Sequence, residues 1–238
     1  MTKALLIDGD LLVYRLASAA ETEIDWGNDF WTLHSDAHAI KTLFTGDILR
    51  LQKKFKTTKV IVCFSDKENF RRKVDPGYKA NRTGRKPLAY KGLVAWVKKE
   101  FSTISHPYLE ADDCLGLYNT DDDIIVSWDK DMKQIPGTHY NLITDEVTKV
   151  TPEQGFRYFL TQVLTGDKVD GYAGLPGCGP VKADQILNAS CTWEAVTAAY
   201  AKAGMTEEDA LRQARLAYIL KDRKDWNHKT GEIKLWNP

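Results

Sequence analysis

Short continuous apolar runs alternate along the chain with longer stretches in which apolar residues recur every three to four positions. Ala4 to Ile7, Val60 to Phe64 and Ile124 to Val126 are strand-sized runs, and amphipathic stretches at Leu11 to Ala20 and Leu88 to Phe101 follow the first two. This alternation predicts an α/β domain built on a mainly parallel sheet flanked by helices. Between them, Ile40, Leu43, Phe44, Ile48, Leu51 and Phe55 fall near a 3.6-residue period, which predicts a helix over Ala37 to Phe55 with Ser35 or Asp36 as its N-cap. Strand signals thin out after Val150, and Thr151-Pro152-Glu153 reads as a helix start. A boundary is therefore expected near 150, separating an α/β part (1–150) from a helical part (151–238). Helices are expected at Pro152 to Leu164, Thr192 to Ala203 and Thr206 to Lys221, with a short extended segment over Gly231 to Trp236.

The acids fall at telling places in this pattern. Asp8 directly follows the first strand, Asp66 closely follows the second and Asp129 follows the third. Ligands of an open parallel sheet collect outside the carboxyl ends of its strands, so three strands deliver acids to one edge. Glu110-Ala-Asp112-Asp113 opens an amphipathic segment. N-cap preference explains one or two acids there, but three in four positions repel one another. Two bare charges 4 Å apart cost roughly 4 kcal/mol at an effective dielectric of about 20, which a bound cation relieves. Asp129-Lys-Asp131 and Asp167-Lys-Val-Asp170 add two further pairs. Oxygen donors without clustered His or Cys favour magnesium or manganese over zinc, and two-metal phosphoryl chemistry uses this many acids. Singly, each motif is an ordinary turn or strand exit. Asp121-Asp122-Asp123 precedes a strand and reads as a solvated turn. His34 and His38 lack the intervening Glu of a metalloprotease helix and read as surface or capping residues.

Charge and composition change the picture in one respect. The 238 residues are 43% hydrophobic and carry 33 basic and 33 acidic side chains, a balance that argues against a uniformly basic nucleic-acid binder. Yet nine basic residues, including Arg71, Arg72, Lys79 and Arg82, lie between Lys67 and Lys91 against two acidic ones. That run is either a solvated face or a polyanion-binding loop, and Tyr78, Tyr90, Pro76-Gly77 and Pro87 within it fit the loop. The four cysteines show no metal-ligand or redox spacing and are expected as free thiols. With no signal-peptide pattern and no long apolar run, the chain is expected to be soluble and cytoplasmic, without membrane contact.

Six motifs together resemble the flap endonuclease and 5′ nuclease family, with its PIN-like (resolvase-like) catalytic domain, and most of all the 5′-to-3′ exonucleases of podovirus-type bacteriophages. They are Leu-Ile-Asp8-Gly-Asp, Phe-Ser-Asp66, Asp-Pro-Gly-Tyr78-Lys79-Ala-Asn-Arg82, Leu-Glu110-Ala-Asp112-Asp113, Ser-Trp-Asp129-Lys-Asp131, and Gly-Asp167 through Gly177-Cys-Gly179-Pro-Val-Lys182. The resemblance implies one metal at Asp8, Asp66 and Asp112 and a second at Asp129, Asp131 and Asp167, with Glu110, Asp113 and Asp170 acting directly or through water. It implies two Mg²⁺ ions, with Mn²⁺ as a substitute. Asp10 departs from the family pattern, which has a neutral polar residue there, and a supporting role is expected for it.

The resemblance further implies a helical arch at about 67–91, with Lys79 and Arg82 reaching the scissile phosphate. Arg71, Arg72 and Tyr78 are expected on DNA, and Tyr14 either stacks on a base or sits in the core. A helix-hairpin-helix at about 170–190, with Gly177, Gly179 and Lys182, would hold the duplex, sometimes through K⁺. Two divalent ions about 3.5 to 4 Å apart suit in-line hydrolysis that leaves a 5′ phosphate. The expected activity is 5′-to-3′ exonuclease action on duplex DNA, with flap and RNA-primer removal, by a monomer serving phage replication or recombination or host DNA degradation, alongside phage replication proteins. A PIN-type ribonuclease would share the acids without needing the hairpin. A structure-specific DNA-binding protein would need neither metal nor cleavage.

Overall fold

The computed structural model describes residues 3–238. Six strands form one sheet in the order β5 (Thr103–Ile104), β4 (Val60–Cys63), β1 (Leu5–Asp8), β6 (Ile124–Val126), β7 (Gly137–Asn141) and β8 (Glu146–Val150). All neighbours pair in parallel except β7 with β8, which form an antiparallel hairpin. The sheet matches the expected class, and the sheet edge formed by β7 and β8 adds strands that the apolar runs did not announce.

Side-chain alternation along β1 sorts its residues into two cores. Leu5 and Ile7 pack with Val62, Ile124 and Val126 beneath α1 (Gly9–Ala19), α2 (Ala37–Phe55) and α4 (Tyr90–Glu100). Leu6 packs on the other face with Cys63, Ile125 and α5 (Ala111–Tyr118). Being buried on both faces, β1 and β6 read as unbroken apolar runs. Asp36 is the N-cap of α2, accepting from the backbone N–H of His38 and Ala39 at 2.8 and 3.0 Å. The helix spans the expected residues.

The third core belongs to α6 (Pro152–Thr165), α7 (Pro180–Ala189), α8 (Trp193–Lys202) and α9 (Glu207–Ala217). Helix α9 stops four residues short of the expected Lys221. Backbone groups of Tyr218, Ile219 and Leu220 are instead hydrogen-bonded by side chains of the sheet-bearing part. Ile219 and Leu220 enter the core that holds Leu6. Near the C-terminus only an isolated bridge forms, between Trp226 and Ile233.

One segment was not anticipated, and one differs from expectation. Residues 21–35 form a separate hairpin, β2 (Glu21–Asp25) and β3 (Trp31–Ser35), around Gly27-Asn28-Asp29, all three at positive φ. The turn signal was legible in those three residues. The 67–91 stretch is not a continuous helical arch: it holds the one-turn α3 (Arg71–Val74) and the start of α4 at Tyr90, with turns at 76–81 between them. Pro76, Gly77 and Pro87 interrupt it, and tertiary bonds replace helical ones. Lys79 N–H donates to Asp170 O at 2.8 Å and Asn81 Nδ2 to Lys168 O at 3.0 Å, docking the segment on the loop after α6.

Candidate active site

The chain order of the strands reverses direction at β1: β4 and β5 lie to one side of it, β6 and β7 to the other. The crevice at such a switch point is where an open α/β sheet collects ligands. Asp8 stands there, at the end of β1. Its Oδ1 accepts from Leu11 N–H at 3.1 Å, capping α1, and its Oδ2 accepts from Ser127 Oγ at 3.0 Å. Ser127 Oγ in turn accepts from Asp129 N–H at 3.1 Å, tying the exits of β1 and β6 together. Asp129 Oδ1 caps the following 3₁₀ turn (Lys130–Gln134) through Asp131 N–H at 2.9 Å. At the exit of β4, Ser65 Oγ accepts from Ala111 N–H at 2.9 Å, which fixes the start of α5 and with it Asp112. Asp66 accepts from Tyr108 N–H at 2.9 Å, and that bond holds its carboxyl below the usual range.

Asp10 is a brace between elements. Its carboxylate accepts from Tyr90 OH and from Ser65 N–H, both at 3.0 Å, linking α1 to α4 and to the exit of β4.

The acids fall into two electrostatic groups. Burial, followed by repulsion from Asp10 and Asp129, pushes the Asp8 carboxyl up to about 7. Burial and the nearby Asp129 do the same for Asp131, also to about 7. Asp112 is raised well above the carboxylate range by burial and by the charges of Asp8 and Glu110. Among the described residues none of these three, nor Asp129, has a basic side chain within ion-pair distance.

The second group already has its cations. Glu110 accepts from Lys79 Nζ, from Tyr78 OH at 2.9 Å and from Arg71 Nη1 at 3.1 Å. Burial raises its carboxyl, but Lys79 and Arg71 outweigh burial and bring it down to about 2. Asp170 accepts from Arg82 and from Tyr78 OH at 3.2 Å, with Lys79 Nζ at 3.4 Å. Lys130 Nζ donates to Asp167 at 2.6 Å, offsetting the burial that would raise that carboxyl and leaving it below the ordinary value.

Three expected site residues are corrected by their burial. Asp113 is fully buried and receives both Arg71 guanidinium nitrogens at 2.7 and 2.8 Å together with the N–H groups of Glu110 and Leu220. Its oxygens are consumed by the protein, so it is not a metal ligand. Arg71, 2% exposed, is spent on Asp113, Glu110 and two backbone carbonyls, and does not face DNA. Tyr78 is 3% exposed in the helical core, so its ring is not a stacking surface, although its hydroxyl joins Glu110 and Asp170.

The remaining candidates lie at the surface, except Lys79, whose side chain is only 14% exposed. Arg72, Lys79, Arg82 and Tyr14 line a cleft of about 950 Å³ that also exposes Asp66 and Glu110. Tyr14 is 48% exposed, which removes it from the core. Lys98, on the polar face of α4, joins the cleft from outside the basic run and had no sequence signal beyond helical spacing. Gly177 and Gly179 stand in the connection between α6 and α7 with open space where a side chain would be, Gly177 at φ +67°, and Lys182 is exposed in the first turn of α7.

The donor set suits a hard divalent cation: it consists of carboxylate oxygens, those of Asp8, Asp112 and Asp131 raised by burial and then by neighbouring charge, while the nearby Cys63 and Cys114 are buried thiols held in the protonated form. Among the described residues no three or more of these side chains close into a ready-made metal cage.

A family model described as the N-terminal resolvase-like domain of 5′-3′ exonuclease matches residues 3–160. The exonuclease of Escherichia phage T7 is 30% identical over 280 residues, spanning 98% of this chain and 93% of the relative. The exodeoxyribonuclease of Enterobacteria phage T3 is 29% identical over 281 residues, spanning 98% and 92%. In fold, the chain is similar to the T5 D15 protein co-crystallized with metal ions (TM-score 0.68, 16% identity, 92% of this chain and 90% of that one). It is also similar to the catalytic core of Rad2 in complex with DNA substrate (TM-score 0.51, 17% identity, 90% and 71%).

Proposed function

Because the chain belongs to the 5′-3′ exonuclease family and is a nuclease of a divalent-metal-dependent class, we propose that it hydrolyses duplex DNA from 5′ ends with Mg²⁺, for which Mn²⁺ substitutes. The observation that carries this reading is the group of Asp8, Asp112, Asp129 and Asp131 at the sheet's switch point, none of which has a basic side chain within ion-pair distance among the described residues. Asp8, Asp66 and Asp112 would hold one ion, and Asp129 and Asp131 the other, joined by Asp167 once Lys130 gives up its ion pair with that carboxylate. Bound there, the pair of ions supplies charge for the scissile phosphate and a more acidic attacking water.

The rest of the work falls to the chain itself. Ser127 and Ser65 fix the strand exits and α5, so the acids keep their spacing without a reorganisation at each turnover. Lys79 and Arg82, in the cleft mouth, place positive charge where negative charge builds up during displacement; both now rest on Glu110 and Asp170 and exchange those carboxylates for phosphate. Arg72, Lys98 and the exposed ring of Tyr14 lie along the path of an incoming strand. Gly177 and Gly179 leave backbone N–H groups open to a duplex phosphate, with K⁺ as an added counter-charge. Flap and RNA-primer removal follow from the same chemistry at a branched 5′ end. The proposed setting is a monomer in the host-cell cytoplasm, acting with phage replication proteins.

The test uses duplex labelled at either end, blunt, nicked and flapped, with magnesium. Asp129→Ala is expected to lower cleavage by about 10³-fold, because it weakens the hold on an ion that would supply the positive charge stabilising the transition state; equal rates for variant and wild type would refute the assignment. Shortening the 174–182 turn is expected to abolish cleavage of duplex while leaving single-stranded RNA untouched. Retained duplex cleavage would favour a ribonuclease-like enzyme that does not grip the helix.

A further inference from the structure

The stretch 216–220 crosses from the end of α9 into the sheet-bearing part, and its backbone is held by side chains from three other places in the chain. Leu216 O and Tyr218 O accept from Arg71 at 3.0 and 2.6 Å. Ala217 O accepts from Gln134 Nε2 at 2.7 Å, and Ile219 N–H donates to Gln134 Oε1 at 3.2 Å. Leu220 N–H donates to Asp113 Oδ1 at 3.1 Å.

Gln134 has a third partner. Its Nε2 also donates to Gln162 Oε1, and Gln162 Nε2 donates to Asp131 Oδ1 at 2.8 Å. Both amides are buried, Gln134 at 0% and Gln162 at 6% exposure. Gln162 projects from α6 among Phe159, Leu160, Val163 and Leu164, a position where packing alone calls for an apolar side chain. A buried amide is retained at such a place when both of its polar ends are used. Here one end meets Gln134 and the other orients a carboxylate, and no hydrogen bond to Asp131 Oδ2 forms among the described residues.

We propose that Gln162 is a positioning residue for the cation held by Asp131, and that the 216–220 segment, through Gln134 and Gln162, couples the helical part to that cation. The inference rests on the reading of Asp131 as a metal ligand. A partner that fixes a ligand's orientation typically changes metal affinity by ten- to a hundredfold when removed. Coupling between this segment and the ion is reciprocal, so ion binding must in turn stabilise the segment.

The experiment titrates the full-length protein with Mn²⁺ and follows free ion by electron paramagnetic resonance. Wild type is expected to take up two ions. Gln162→Met keeps the side-chain volume and is expected to weaken one ion by about ten- to a hundredfold while leaving the other unchanged. General loosening of the fold would weaken both. Two ions bound as tightly as in wild type would overturn the proposal. Should Gln162→Met not fold, amide exchange of the wild-type chain decides: Ile219 and Leu220 N–H are expected to gain protection in step with the ion at Asp131, and unchanged exchange at full occupancy overturns the coupling. Wild type that takes up no ion would remove the reading of the acids, and this proposal with it, which separates that failure from a failure of the relay alone.

Discussion

Asp8, Asp112, Asp129 and Asp131 differ from Glu110, Asp113, Asp167 and Asp170 in nothing that the residue letters record beyond one Glu for Asp. The first set has no basic side chain in ion-pair range among the described residues, and its members Asp8, Asp112 and Asp131 are pushed up by burial and then by neighbouring acids. The second set is neutralised from within by Arg71, Lys79, Arg82 and Lys130. A cluster of acids is therefore two different things. One half lacks a counter-charge, and the other half organises the protein around charges it already owns.

The sharpest way to break this contrast is at Arg71. Replacing it with Met strands Asp113 in a fully buried place, and removing one partner of a buried pair costs about 3–5 kcal/mol. Urea unfolding near neutral pH should show a loss of that size; a loss below about 1 kcal/mol would mean that Asp113 is not held as described.

Asp8 should behave in the opposite sense. Its carboxyl sits at about 7 in the fold against a reference of 3.8, so the folded state holds the proton more tightly than the unfolded chain. Stability of the metal-free protein should then fall as pH rises from about 4, the penalty being fully developed above about 7. Asp8→Asn removes the charge and keeps both oxygen and shape. In chelator above about pH 8 it is expected to be more stable than wild type, by on the order of 1–3 kcal/mol. A destabilised variant with a flat wild-type pH profile would contradict the assigned repulsion.

Titration of the same acids predicts proton release. At about pH 6, divalent metal binding should displace on the order of one to two protons, from Asp8 and Asp131, and close to none above about pH 9. Calorimetry in buffers of different ionisation enthalpy reads that number directly. Release that does not vary with pH would place these carboxyls in the ordinary range.

Smallest of all is the effect expected at Lys130. Its ion pair with Asp167 involves a side chain 62% exposed to solvent, and pairs of that kind contribute less than about 1 kcal/mol. Lys130→Ala should leave the unfolding free energy almost unmoved, in contrast to Arg71.

Much of the fold was legible because burial on both faces makes β1, β4 and β6 continuous apolar runs, and because Asp36 and Thr151 mark helix starts with their own side chains. The acids were legible for the same local reason: each follows a strand or opens a helix. Segments governed by distant partners were not. Residues 75–83 carry no local signal for docking on Asp170 and Lys168, and α9 ends early because Gln134, Asp113 and Arg71 take the backbone of 218–220. The hairpin at 21–35 had a turn signal in Gly27-Asn28-Asp29, but its strands mix acids with aromatics and show no clean alternation.

By itself, then, the sequence determined which residues are acidic, at which strand exits they stand, and which family the motifs resemble. Only the tertiary structure decided which acids remain open to a cation. That choice depends on bases and backbone groups brought in from far along the chain, as Arg71 is to Tyr218 across 147 positions. Charge is written locally, whereas compensation of charge is a property of packing, because desolvation and partner distance exist only once the chain has folded.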